Sequence, residues 1–504
     1  MKTRKKLSHI ILLIAMLALL FLSLKRFQVV ITSHLRSSGD LKIESINLAT
    51  VRSLQQGKAI YDAGFFGDLP FIITIYNPLY HFLTAILPQS QQNPVLTGRI
   101  VSLAASILIL LLLLYPGWSL RAPKIWALPI ITIAWVLLHP IFLENAVYMH
   151  PDMLAIFFSA LAVVSLETPR SNKRIAAAAL FAFLGFATKQ SQLPATASCL
   201  LYLFFSDRRK AVLFASSWLL FFGGFLVFVL GFLGEGYWFS VFLSILDHPS
   251  FLSLTLGRLV ELLRQPMFDM LLLAICVTVA YAFVRKKSIA IQSPYLLYVE
   301  FAAIIPLIAL GKIGGEASYY LEFIIASMLW IVFIVRRFRN DLMPRYVIPF
   351  LIIFFSVAAL EVISGKSSSY LLTEQPNARY LRYKGPGVVL AEIEGLAPRD
   401  NHFLFINTHV MLPFVREPYF SDPYNYFLMW NFGILDPKPM IRAIERKFFS
   451  VIVYTTAENP YAIPAMDPIP GGPGTNSVIK AIRENYRLSK DGDFRYLIPI
   501  EPLG

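Results

Sequence analysis

The constraint that governs this chain is a succession of long apolar runs separated by short basic clusters. A helix that crosses a bilayer needs roughly 17–25 apolar residues. Runs of about that kind lie near 9–31, 97–117, 125–143, 152–167, 175–189, 192–206, 211–233, 267–284, 293–311, 319–335 and 346–363. The 504 residues are 56% hydrophobic and 15% charged, whereas globular domains average about 25% charged. Mean hydropathy is +0.61. The expectation is a mainly α polytopic transmembrane helix bundle of about 11 spans.

Charge placement then orients the spans. The formal net charge is +14. In a soluble protein that would suggest nucleic acid. Here the basic residues fall between apolar runs, which is the positive-inside pattern, so no nucleic-acid partner is expected. Lys2, Arg4, Lys5 and Lys6 put the N-terminus in the cytoplasm, and residues 9–31 read as an uncleaved first span. The stretch FIITIYNPLYHFLTAILP (71–88) competes as a further span. If it crossed, the clusters Arg170/Lys173/Arg174, Arg208/Arg209/Lys210, Arg285/Lys286/Lys287 and Arg336/Arg337/Arg339 would all lie outside. If it does not, all four lie inside with Arg121 and Lys124. It is therefore read as an amphipathic or re-entrant piece, broken at Pro70 and Pro78.

Two regions follow: a transmembrane domain, 1–363, with a large first outer loop at 32–96, and a small extracytoplasmic α/β domain, 364–504. The latter carries strand-like runs at 402–410, 449–456 and 494–500 and helix-like runs at 437–447 and 477–486. Its GGPGTNS (471–477) lacks a following Lys and is read as a loop rather than a phosphate cradle. The two cysteines, Cys199 and Cys276, sit in apolar runs and suggest neither a disulfide nor a metal site. Localisation in the cell (inner) membrane as a multi-pass protein is the expectation.

The unusual polar residues gather on the outer face. In the first loop, Ile43, Ile46, Leu48, Val51 and Leu54 give a helix over 43–56 an apolar face, and Gly57 ends it. Asp40 and Glu44 are four apart and share one side of a continuous helix. A carboxylate pair at a helix start is also favoured by the macrodipole alone. In MHPDM (149–153), Pro151 and Asp152 suit a first helical turn by the same local logic, and His150 suits an interfacial polar residue. Lys189 and Lys312 stand in outer turns, where snorkelling to headgroups is the bland alternative. Glu322 lies about a turn inside an apolar run, a functional position by default, with Lys312 as an equally suitable structural partner. Few polar residues follow the depth of the bundle. A transporter or flippase of lipid-linked saccharides needs such a path. A non-catalytic envelope assembly protein needs only a binding surface. Both remain alternatives to a site at the outer rim.

The order of these stretches resembles the GT-C superfamily of polytopic glycosyltransferases, in particular its bacterial branch of aminoarabinose transferases and protein mannosyltransferase-like enzymes. The resemblance rests on LQQGKAIYD (54–62) with an acidic residue ahead of it, YNPLYHFLTAIL (76–87), GRIVSLAASILILLLLLY (98–115), HPDMLAIFFSAL (150–161), GFATKQSQLPA (185–195) and KIGGEASYYLEF (312–323). It covers most of 1–363. It implies inverting transfer of a hexosyl or pentosyl group from a polyprenyl-phosphate-linked donor to a glycan, lipid or protein acceptor, beside membrane lipid. Glu44, or its rival Asp40, would be the catalytic base, and Asp152 would orient the acceptor or assist the base. Lys189, Lys312, Glu322, Tyr76, Tyr80, His150 and Tyr320 would bind substrate. Asn77 and Tyr319 depart from the family pattern and leave donor and acceptor open. A divalent metal would suit carboxylate and phosphate oxygens.

Overall fold

A computed structural model of the chain describes residues 17–32, 41–118, 127–167, 171–246, 250, 255–257, 293–309, 317–337, 386–397, 402–406, 419–455, 472–491 and 494–500. The candidate spans 267–284 and 346–363, and the residues Asp40 and Lys312, lie outside them. The chain groups into two compact units. One comprises Met1–Arg36, Arg99–Phe225 and Pro249–Thr373; the other Ser37–Gly98, Leu226–His248 and Glu374–Gly504.

The first unit is built of apolar helices. The run read as one span at 125–143 is two helices, Ala127–Leu138 and Pro140–Val147. Pro140 takes the first position of the second helix, where its missing N–H costs nothing, and cannot continue the first. The chain then bends by 110° before Asp152–Ser165. A helix at Asn172–Thr188 follows, its first turn capped by Ser171 Oγ, which accepts from Arg174 N. Gly185 faces this neighbour so closely that a Cβ would stand 2.9 Å from Ser159 Oγ and 3.2 Å from Ala155 O. Pro94–Trp118, Pro194–Ser206, Arg208–Phe228, Pro294–Ala309 and Leu321–Arg337 are further helices among the described residues. Phe183 and Phe186 pack edge-on against Trp218.

Among the described residues two helices, Pro94–Leu114 and Arg208–Leu233, are long and apolar enough to cross a membrane, and the bent pair Ile141–Val147 with Asp152–Ser165 would make a third. Only 11% of the apolar window of Arg208–Leu233 is buried, so the rest of its side chains need a nonaqueous neighbour. The other apolar helices are shorter than a straight crossing needs.

The second unit contains a four-stranded mixed sheet in the order β1 (Phe403–Phe405), β2 (Val451–Thr455), β4 (Phe494–Pro499), β3 (Tyr486–Lys490). β1 and β2 run parallel; β4 is antiparallel to both β2 and β3. Alternation sorts the side chains. Phe403, Phe405, Val451, Val453 and Tyr496 pack with Ile393 of the helix Pro386–Leu396. Leu404, Ile452, Tyr454 and Leu497 join Trp430, Ile444 and Ile482 from the other three helices of this region. With both faces covered, the Val-Ile-Val run of β2 is central, as a continuous apolar strand should be. β3 instead exposes Arg487 to Lys490 on an edge.

Two local readings change. GGPGTNS is not wholly a loop: Pro473 starts the helix Pro473–Asn485, because a first-turn Pro is already set at a helical φ. Residues from Tyr486 onward leave that helix for β3, where β4 offers a ladder that the isolated segment lacks.

The first-loop helix is Leu41–Gln55, with Ile46, Leu48, Ala49 and Val51 buried. Gly57 follows at φ +69°, and Lys58 N closes the end by donating to Ser53 O at 2.9 Å. Residues 71–78 are non-helical, and the α-helical part of the 71–88 stretch is Leu79–Ile86, packed on Leu41–Gln55. The preceding piece is held by backbone pairing: Phe420 N donates to Pro70 O (2.9 Å), Ser421 N to Phe71 O (3.2 Å), and Ile73 N to Ser421 Oγ (3.2 Å).

Gly57→Ala should therefore lower stability by about 1 kcal/mol, the penalty of a left-handed L-residue. Gly67→Ala, in open space with ordinary backbone angles, should leave it nearly unchanged. Thermal unfolding of the two purified variants distinguishes them.

Candidate functional site

In the first unit four ionisable side chains meet at helix ends. Asp152 is the first residue of Asp152–Ser165 and is 2% exposed. Its Oδ1 accepts from Lys189 Nζ at 2.7 Å, and its Oδ2 pairs with His150 Nδ1. Lys189 caps the C-terminal end of Asn172–Thr188, with its N donating to Gly185 O at 3.0 Å. Its ammonium also lies 5.2 Å from the centre of the Tyr319 ring. His150 is fixed by Ser102, whose hydroxyl donates to His150 O at 2.9 Å. The acid at a helix start and the cation at a helix end both follow the macrodipole. The local and the functional readings of Asp152 are thus compatible: the dipole favours the charge there, and Lys189 compensates its burial.

Glu322 stands one residue into Leu321–Arg337 and is also buried. Tyr298 Oη donates to its Oε1 at 3.0 Å. The orientation of the Gln192 amide that satisfies its surroundings turns the nitrogen toward Glu322 Oε1 (3.0 Å) and Ser159 Oγ (3.0 Å). Lys189 and Asp152 are both within electrostatic range of Glu322. Tyr320 sits in the 3-10 turn Ala317–Tyr320 that delivers this helix, next to Tyr319. Asp152, His150, Lys189 and Glu322 thus belong to one neighbourhood, joined by Gln192, Ser159 and Tyr298, and Tyr320 is tied to it by the chain alone, two residues before Glu322. Sequence reasoning missed Gln192, Ser159 and Tyr298. Only Gln192, in the turn that begins with Lys189, carried a local hint.

Glu44 belongs to the second unit. It is 1% exposed, in the first turn of Leu41–Gln55. Asn47 follows three residues later on the same side, and its Oδ1 lies 2.9 Å from His81 Nε2. Thr50, a further turn on, meets Thr74 hydroxyl to hydroxyl at 3.0 Å. Glu44 therefore opens a buried polar stripe facing His81 and Thr74. Tyr80 is fully buried, and its hydroxyl donates to Gly98 O at 2.8 Å. Tyr76 is half-buried, and its carbonyl accepts from Tyr61 Oη at 2.7 Å. Asn77 accepts from Tyr237 Oη at 2.8 Å.

Among the described residues no group of three or more His, Cys, Asp or Glu side chains is placed to hold a metal ion. Both oxygens of Asp152 are engaged by Lys189 and His150. A divalent cation there would displace an ammonium, so these residues do not fit one.

Removing one member of a buried pair leaves an uncompensated charge. Asp152→Asn and Lys189→Gln should each destabilise by about 3–5 kcal/mol. The double variant should recover part of that loss. Additive losses in a double-mutant cycle of unfolding would show that the contact carries no coupling.

No protein-family model matches the sequence, and no curated protein matches it. The fold is similar to the crystal structure of ArnT from Cupriavidus metallidurans bound to undecaprenyl phosphate, with a TM-score of 0.57 over 97% of this chain and 98% of that one, at 11% identity. The apo state of ArnT from the same organism aligns at a TM-score of 0.47 and 13% identity, over 91% and 93% of the two chains. The first of these likenesses shows a shared fold along nearly the whole of both chains.

Proposed function

We propose that the protein is a membrane glycosyltransferase that moves a sugar from a polyprenyl-phosphate-linked donor to an acceptor at the outer face of the cytoplasmic membrane. The observation that carries this is the cluster of buried ionisable groups, Asp152, Lys189, Glu322 and His150, at the ends of apolar helices. Such groups are expensive in an apolar bundle and mark function by default. Their setting, a fold similar to that of a protein crystallised with undecaprenyl phosphate, supports a polyprenyl phosphate as the ligand class.

In this reading the chain has about 11 spans, an inside N-terminus and an extracytoplasmic α/β domain over 364–504. Glu44 removes the proton from an acceptor hydroxyl as its oxygen attacks the anomeric carbon. The glycosidic C–O bond to phosphate breaks, the lipid phosphate leaves with the bonding pair, and the anomeric configuration inverts. Lys189 and Lys312 stabilise the charge that grows on the leaving phosphate. Asp152 and His150 keep Lys189 in place, so Asp152 acts through that lysine. Tyr76 and Tyr80 hold the segment that covers the lipid, and Tyr320 and Glu322 shape the sugar site. Asp40 is the rival base.

Glu44→Gln should lower transfer by about 10²–10⁴-fold, the usual worth of a general base, with membrane insertion and donor binding intact. Mass analysis of envelope glycans and lipids from cells with and without the gene identifies the product to assay. Full activity in both Glu44→Gln and Asp40→Asn proteins would sink the assignment of the base. Lys189→Arg should retain more activity than Lys189→Gln, which loses both the ion pair and the cation.

A further inference from the structure

The second unit contains a cavity of about 350 Å³ that the transfer reaction does not use. That volume is within the range of small-ligand pockets, about 300–1,000 Å³. One wall is the last turn of Leu41–Gln55, which presents Arg52 and Ser53, followed by Gln56 and Lys58. Tyr419 and Phe448 add aromatic rings to the lining. His402 fixes those rings: its own ring stacks on Phe448 at 4.3 Å and meets Tyr419 edge-on at 5.6 Å. Leu69, Pro70 and Ile72 also line the cavity, in a stretch pinned by the pairing of Pro70 and Phe71 with Phe420 and Ser421.

Among the described lining residues two are cationic and none is a carboxylate. The helix macrodipole accounts for Arg52, which sits in the last turn. It does not account for Lys58, which lies beyond Gly57 with its ammonium 5.6 Å from the centre of the Phe65 ring, nor for the aromatic rings in the same lining. Cations suit an anionic group, Ser53 and Gln56 suit hydroxyls, and flat aromatic rings suit the C–H face of a pyranose. We propose that this cavity binds an acidic saccharide, a sugar ring bearing a carboxylate or a phosphoryl group. The proposal goes beyond the transferase reading and does not depend on it, because binding is measured without turnover.

The test uses the full chain in phosphatidylcholine nanodiscs, with glucose, glucuronic acid and glucose 6-phosphate followed by saturation-transfer NMR and inorganic phosphate read by its competition with glucose 6-phosphate. Both acidic sugars should bind at least tenfold more tightly than glucose. Arg52→Gln combined with Lys58→Gln should abolish that difference. Lys58→Gln alone, at an exposed side chain, should weaken acidic sugars several-fold in a folded protein, and Phe448→Leu should weaken all three sugars. Equal binding of glucose and its acidic forms, no detectable binding, or no effect of Lys58→Gln overturns the proposal. Inorganic phosphate matching glucose 6-phosphate also overturns it, by showing a site for the anion alone. Loss of sugar binding in nanodiscs containing phosphatidylglycerol reassigns the cavity to lipid headgroups.

Discussion

Asp152 has lost almost all contact with solvent, and a carboxylate in that position stays charged only where other groups replace its water. Lys189 supplies a cation, His150 an imidazole, and Ser102 secures the loop that carries His150. These partners come from separate places in the sequence. The ends of Asp152–Ser165 and Asn172–Thr188, and the turn at 148–151, must therefore meet in one arrangement. The 110° bend before Asp152 and the extended backbone at Lys189 serve that meeting. Glu322 extends the same requirement to Leu321–Arg337 through Gln192 and, through Tyr298, to Pro294–Ala309. The bundle is thereby tied at its helix ends by polar contacts, while dispersion and apolar packing hold its length.

The second unit rests on different physics. Its sheet separates two apolar layers by simple alternation, so a shift of one residue in β2 would exchange Ile452 for its neighbours and empty both layers at once. The 70–73 segment adds backbone bonds to Phe420 and Ser421, which fix a piece of the first loop against residues more than three hundred positions later. Those bonds make the first-loop helix and the sheet parts of one folding unit.

Much of this was legible where a residue violated its surroundings. Asp152, Lys189 and Glu322 stood out because charges are rare in apolar runs. Gly57 stood out because it followed a periodic helix. The β2 run was readable from its β-branched residues. The neutral partners were not. Gln192, Tyr298, Asn47 and His81 are ordinary polar residues until packing brings them within 3.0 Å of a buried group. The break at Pro140 was written in the sequence, but the apolar content of 125–143 outweighed it. β3 was hidden because an edge strand with four exposed residues has no apolar signature. The two units interleave along the chain, which no local pattern announces.

Gly185 shows how a neutral position can govern a charged one. It lies one helical turn before Lys189 and receives that residue's amide bond, and its missing Cβ lets the helix rest against Ser159 and Ala155. Any larger residue would act as a shim, lifting the end of the helix and carrying the ammonium with it. The strength of the Lys189–Asp152 contact is thus metered by a hydrogen atom four residues away. Sequences that keep the lysine and the carboxylate but place a bulkier residue at 185 would have to recover the spacing by trimming Ser159, the side chain on the other side of the seam.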